Sequence, residues 1–146
     1  MAATDWQTAT ATLRLAGQLV DGIQEGLAAR GFTDIRPAHG YLFAALSTDM
    51  TTAGIAVALG ITKQATAQLV DTLVERGYLS RQPDPRDGRA HLVVLTDRGY
   101  ACTQAAEQAA SDVVNGWHDQ VSKADFARFS HTVHTIAKPG PLRPSW

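Results

Sequence analysis

The sequence predicts a mainly α-helical fold with one small two-stranded β-hairpin. Three observations carry that expectation. Apolar residues recur at steps of three and four near both ends of the chain, the spacing of a continuous stripe on a helix. Two short segments in the middle each begin at Thr and end at Gly, the usual start and stop of a helix. A β-branched and aliphatic run then follows a polar turn rich in Pro and Asp.

The elements follow in order. Trp6, Ala9, Leu13, Ala16, Val20, Ile23 and Leu27 form one stripe and predict a long first helix ending near Gly31. Pro37 suits the first turn of a second helix, which carries Tyr41, Leu42, Ala45 and Leu46. TTAGIAVALG reads as a third helix capped by Thr51 or Thr52 and stopped by Gly60. TKQATAQLVDTLVERGY reads as a fourth, capped by Thr62 and ended by Gly77. Its inward row is expected at Ala65, Leu69, Val70 and Leu73, leaving Lys63, Gln64, Ala67, Gln68 and Asp71 outward. Residues 78 to 82 and 90 to 95 read as strands around the turn PDPRDG, where Asp84 and Pro85 suit a type I start and Gly88 a positive φ. Thr96 caps a fifth helix with the stripe Tyr100, Thr103, Glu107, Ala110, Val114, Trp117 and Val121. Ser122 and Asp125 open a sixth, with Phe126, Phe129, Val133 and Ile136 on one face.

The chain of 146 residues is expected to be one domain, 1–146. Within it, 37–98 form the compact middle, 5–31 and 97–137 the long helices, and 138–146 an extended tail containing three prolines. The long helices have little core of their own to cover, so their stripes are best buried against a second copy in a two-fold dimer. Leu13, Val20, Ile23, Val114 and Phe129 are the residues expected there.

Composition narrows the function. Hydrophobic residues at 45% and charged ones at 18% describe a globular chain, and no apolar run approaches the roughly 18 residues of a spanning helix. MAATDWQTAT lacks the basic start and apolar run of a secretion signal, and the single Cys102 forms no internal disulfide. A cytoplasmic protein with no membrane partner is expected. A net charge of −1 gives no global sign of nucleic acid, so any such reading rests on local placement.

That placement is specific. A short capped helix, a tight connection and a second helix with a polar outer face form a helix-turn-helix, and an attached hairpin makes it winged. A plain helical hairpin is the alternative for the two helices alone. GYLSRQPDPRDGRAHLVVLTDRG closely resembles the wing signature of the multiple-antibiotic-resistance regulator (MarR) family: Gly77 closes the recognition helix, Asp84 with Arg86 sits at the wing tip, and Leu95, Thr96 and Gly99 open the next helix. The element order extends the resemblance over nearly the whole chain. It implies a winged helix-turn-helix with N- and C-terminal dimerisation helices, a homodimeric transcriptional repressor that binds a pseudo-palindromic operator in double-stranded DNA and is released by a small-molecule effector.

A recognition helix enters the major groove by its N-terminal end. The residues expected to touch DNA there are Thr62, Lys63, Gln64, Thr66, Ala67 and Gln68, with Thr66 nearer the core-facing edge. Lys63 suits phosphate or guanine, the glutamines suit base edges, and Ala67 suits a thymine methyl. The family often carries arginine where this chain has Gln68, which weakens its electrostatic grip. Arg86 and Arg89 on a stiff tip suit the adjacent minor groove or its phosphates. The resemblance assigns Asp84 a bracing role. Arg81 and Arg76 either touch backbone or sit exposed, and Thr51 and Thr52 either meet a phosphate or serve as caps. The rival reading is a winged-helix protein-interaction module without DNA binding, supported by the near-neutral charge and Gln68.

Other signals are weaker. His131 and His134 share a face with His118 and Asp119 upstream, but four converging ligands are not evident and no metal or other cofactor is expected. Cys102 has only Arg98 near it in sequence, and reads as a packed or idle thiol rather than a redox switch. Trp6, His39, Phe43 and Trp117 either line an effector pocket or simply pack. No nucleophile elbow, phosphate loop or HExxH pattern frames Ser130 or His131, so an enzyme is not expected.

Overall fold

The computed structural model describes residues 1–143. Among them are six helices and one two-stranded antiparallel sheet: α1 Asp5–Ala29, α2 Pro37–Ala45, α3 Thr52–Leu59, α4 Lys63–Glu75, β1 Leu79–Asp84, β2 Asp87–Leu95, α5 Asp97–His118 and α6 Lys123–Ile136. This is a winged helix-turn-helix with long helices at both ends of the chain. The described chain divides into two compact units: residues 1–33 with 105–138, and residues 34–104 with 139–143.

Caps set the helix boundaries. Thr4, Thr51, Thr62 and Ser122 each accept a backbone N–H of the first turn through the side-chain oxygen, and the Thr96 hydroxyl accepts the N–H of Gly99. Gly60 (φ 69°) and Gly77 (φ 82°) take the left-handed conformation that ends α3 and α4. At Gly77 the motif is complete: Tyr78 N–H donates to the Leu73 carbonyl at 2.9 Å and Gly77 N–H to that of Val74 at 3.0 Å.

In the first unit, α1 packs on the later turns of α5 through small residues. A Cβ on Gly22 would overlap Val113, and one on Gly26 would overlap Ala109, so the two backbones approach closely. Arg30 locks the pair by donating to the Gly26 carbonyl at 2.9 Å and to Asp112 Oδ2 at 2.7 Å. Leu15, Trp117, Phe126 and Phe129 border an apolar depression of about 360 Å³. Much of the predicted stripe faces outward in the single chain: Trp6 is 76% exposed, Leu13 72% and Ile136 74%.

In the second unit, Leu42, Phe43, Leu46, Ile55, Leu59, Val70, Leu73, Tyr78, Leu79, Val93 and Cys102 are buried. The sheet pairs Leu79 with Leu95 through Pro83 with His91, and a register shift then brings Asp84 opposite Asp87. Met50 adds a bridge beside the sheet, its carbonyl accepting the Val93 N–H at 2.7 Å.

Three expectations are corrected. The strands reach farther than 78–82 and 90–95, leaving only Pro85 and Arg86 as the turn; a two-stranded sheet has an open edge on each strand, where Pro83 costs no ladder bond. Gly88 is not at positive φ, because the Asp84 carboxylate accepts the Arg86 N–H at 2.9 Å and shapes the tip without a left-handed residue. The buried row of α4 is Thr66, Val70 and Leu73, while Ala65 and Leu69 stay partly exposed. Thr66 is buried without cost to its hydroxyl, which donates to the Thr62 carbonyl at 2.9 Å. Of the expected tail, residues 138–143 carry no helix or strand, Arg143 Nε donates to the Ala58 carbonyl at 3.1 Å, and 144–146 lie outside the described residues.

Candidate nucleic-acid interface

The surface of α4 begins with its cap. The Thr62 hydroxyl accepts the Ala65 N–H at 3.1 Å, which holds Lys63, Gln64 and Gln68 outward, all exposed, with Ala67 partly so. Thr66, expected among the DNA-contacting residues though nearer the core-facing edge, is fully buried and packs the helix against its own unit. The exposed face is polar with one cation.

The wing tip is held by Asp84, which is nearly buried: besides accepting the Arg86 N–H, its Oδ1 lies 3.5 Å from Arg86 Nε. The Asp87 carboxylate accepts the Arg89 N–H at 3.0 Å in the same way. Both turns are therefore closed by acids, while the arginine side chains stand out; that of Arg86 is 80% exposed. Arg81 is differently placed. Its guanidinium pairs with Asp71 Oδ1 on α4, so β1 is tied to α4 and this cation is largely neutralised. Thr51 spends its hydroxyl on the Gly54 N–H at 3.1 Å, and Thr52 lies in the first turn of α3.

A polar corner stands behind this face. Tyr78 donates its hydroxyl to Asp34 Oδ1 at 2.6 Å, and Arg98 donates to the Tyr78 oxygen at 3.0 Å while its guanidinium carbon lies 4.4 Å from the ring centre. Arg76 bonds the Asp34 carbonyl. The Tyr78 bond, then Arg98 and Arg76, hold the Asp34 carboxyl below its usual range despite partial burial. Burial, followed by the bond to Asp34, pushes the Tyr78 hydroxyl up.

On the other edge of α4, a cleft of about 550 Å³ lies between Gln68, Thr72 and Arg76 on one side and Arg36 and His39 on the other. His39 is 4% exposed and its Nδ1 accepts the Arg36 N–H at 2.9 Å. Phe43 packs in the same unit, tilted against Tyr78 at 5.9 Å. Trp6 and Trp117 belong to the first unit, where Trp117 stands edge-on to Phe129 at 6.2 Å. Leu13 and Phe129 are exposed there, and Val20, Ile23 and Val114 partly so.

Cys102 is buried and its thiol is pushed up to about 11, first by burial and then by Asp34, against the opposing pull of Arg98. It stays protonated at neutral pH. No group of three metal-ligating side chains occurs among the described residues; His118 lies on Phe126 at 3.6 Å and His134 Nδ1 meets the Ser130 carbonyl at 2.7 Å. The sequence reading missed Asp71 as the partner of Arg81, Asp34 as the partner of Tyr78, and Arg36 as the rim of the cleft. Residues 34, 36, 76, 78 and 98 meet only through the fold, and no spacing rule joins them.

Residues 31–90 match the sequence model of the MarR family. The fold is that of solved proteins of low identity. The reduced form of MarR from E. coli is 18% identical with a TM-score of 0.77, the match covering 94% of this chain and 99% of that one. A MarR-family regulator from Rhodococcus sp. RHA1 is 21% identical with a TM-score of 0.67, covering 97% and 100%. A mutant of E. coli MarR complexed with operator DNA is 20% identical with a TM-score of 0.67, covering 89% and 93%. No curated protein sequence matches the chain.

His39 gives this region a pH dependence. Burial, then the charges of Arg76 and Arg36, lower its affinity for a proton below the ordinary value of 6.5. The stability from its neutral form is therefore present above about pH 6.5 and lost as pH falls towards the lower folded value. Thermal unfolding between pH 7.5 and 5.5, values on the order of one pH unit either side of 6.5, should show a falling Tm that His39→Gln flattens. An equal fall in both chains contradicts this assignment.

Proposed function

We infer that this protein, whose residues 31–90 belong to the MarR family, is a homodimeric DNA-binding transcriptional regulator. It acts as a repressor on a pseudo-palindromic operator, with a small-molecule effector modulating its release, and not as an enzyme. One observation carries the reading: a recognition helix offers Lys63, Gln64 and Gln68 on a solvent face beside a stiff finger that holds Arg86 and Arg89 outward. Glutamine amides are bidentate partners for base edges, and arginines on a rigid turn suit the minor groove or its phosphates. The operator-bound E. coli protein of the same fold supports the DNA partner.

The dimer is supported by the exposed stripe on α1 and α6. Apolar faces of that extent are covered in most soluble proteins. Two-fold pairing also sets two recognition helices about 34–36 Å apart, one turn of duplex. The effector and the repressor role follow the family resemblance. A protein-interaction module is the second reading, favoured by the acids that pair with Arg81 and Arg86.

Salt dependence separates the two. Binding to duplex selected from the protein's own genome should weaken linearly in log–log salt, at roughly 0.9 per neutralised phosphate. Changing both Arg86 and Arg89 to Ala should make that slope shallower; an unchanged slope and affinity removes the wing from the interface. For the dimer, sedimentation should show two chains together for the parent and monomer or unfolded chain for Ile23→Asp. A stable dimer of that variant contradicts the assigned interface.

A further inference from the structure

A helix in the major groove, a channel about 12 Å wide, has a sugar–phosphate strand on each side. One edge of α4 is tied by Asp71 to the wing through Arg81. The other edge, Gln68, Thr72 and Arg76, walls the cleft that Arg36 and His39 close. Gln68 stands both in this cleft and on the exposed face, so a duplex read by Gln68 brings its second strand over the cleft.

The polar groups of the cleft are suited to an oxyanion. They comprise two guanidiniums, an amide, a hydroxyl and an imidazole, and no Asp or Glu among the described residues lines it. His39 accepts through Nδ1, so its neutral ring carries the proton on Nε2, and no partner among the described residues takes that N–H. The residue is more than nine-tenths buried, which leaves a fixed donor in the wall of the cleft. Arg36 is exposed and makes no ion pair among the described residues, whereas Arg76 is held by the Asp34 carbonyl, Arg81 by Asp71 and Arg98 by Tyr78 and Asp34. A free guanidinium presents a planar fork that fits two phosphate oxygens.

We propose that this cleft seats a phosphodiester of the DNA strand flanking the recognition helix on the side away from the wing, with Arg36 as its ionic contact and His39 Nε2–H as a fixed donor. The proposal rests on the DNA-binding reading above. A free phosphate shares the same oxyanion chemistry, and the test separates the two sources.

Arg36→Gln removes an exposed side chain that makes no hydrogen bond or ion pair among the described residues, so the variant is expected to fold as the parent does. Measured on the genomic duplex across salt, its log–log slope should be shallower by about 0.9, with the same proportional loss on sequence variants of the duplex. Lys123→Gln on α6 should leave the slope unchanged. An unaltered slope for Arg36→Gln overturns the proposal while the regulator reading stands. Titration of the free protein with inorganic phosphate, followed by the NMR signals of the His39 ring, supplies the other arm. Saturation there with an unaltered DNA slope assigns the cleft to a free anion and overturns the proposal. A parent chain with no salt-dependent DNA binding fails the regulator reading itself and takes this proposal with it, a failure told apart by the parent's own slope.

Discussion

The second unit depends on Tyr78. Its N–H ends α4 on the Leu73 carbonyl, its carbonyl accepts the Thr96 N–H at 3.0 Å, and its ring is fully buried with the hydroxyl on Asp34. One residue thus fixes where α4 stops, where β1 begins, where α5 starts and where the segment before α2 lies. A hydrogen bond to a charged partner contributes roughly 1.5–3 kcal/mol, and here the lower end applies because Asp34 is still partly solvated. Gly99 belongs to the same corner: a Cβ there would overlap the Tyr78 carbonyl, so only glycine lets α5 start this close. Thr96 completes it by donating its hydroxyl to the Gly77 carbonyl at 2.6 Å.

Rigidity at that corner has an electrostatic counterpart. The chain is nearly neutral, yet its cations are not interchangeable. Arg30, Arg81 and Arg98 are paired with acids that join one element to another, and they serve the fold. Lys63, Arg86, Arg89 and Arg36 project from the unit that holds α4 and the wing. A low net charge is therefore compatible with a local cationic surface, because the acids are spent in pairs with other arginines. Surface pairs of this kind add little stability, so their effect is to fix orientation. Asp84 shows the point most directly, closing the wing turn on the Arg86 backbone while the guanidinium remains in water.

Most of the fold was legible because its signals are local. Thr62 and Gly77 bracket α4, Thr51 and Gly60 bracket α3, and the β-branched run after the turn marks β2. The inward row of α4 was misread because Thr66 counts as polar, although a threonine whose hydroxyl returns to the helix packs like an apolar residue. The wing turn was drawn too wide because Pro83 reads as a breaker, and an open-edged hairpin tolerates it. For the site, the outward residues of α4 and the two wing arginines follow from spacing and turn chemistry. The ties behind them, Asp34 to Tyr78 and Asp71 to Arg81, join residues 44 and 10 positions apart and exist only once the chain is folded.

On the proposed DNA-binding reading, α4 and the wing tip meet a single duplex together, with Tyr78 fixing the end of α4 and Asp84 the wing turn. Backbone amide NMR of the chain during titration with a duplex selected from its own genome tests this most directly. The largest shifts are predicted at Thr62 through Gln68 and around Arg86 to Arg89, moving in parallel with one binding curve. Saturable DNA binding that leaves both segments unmoved, or moves α4 and the wing with different affinities, would contradict it.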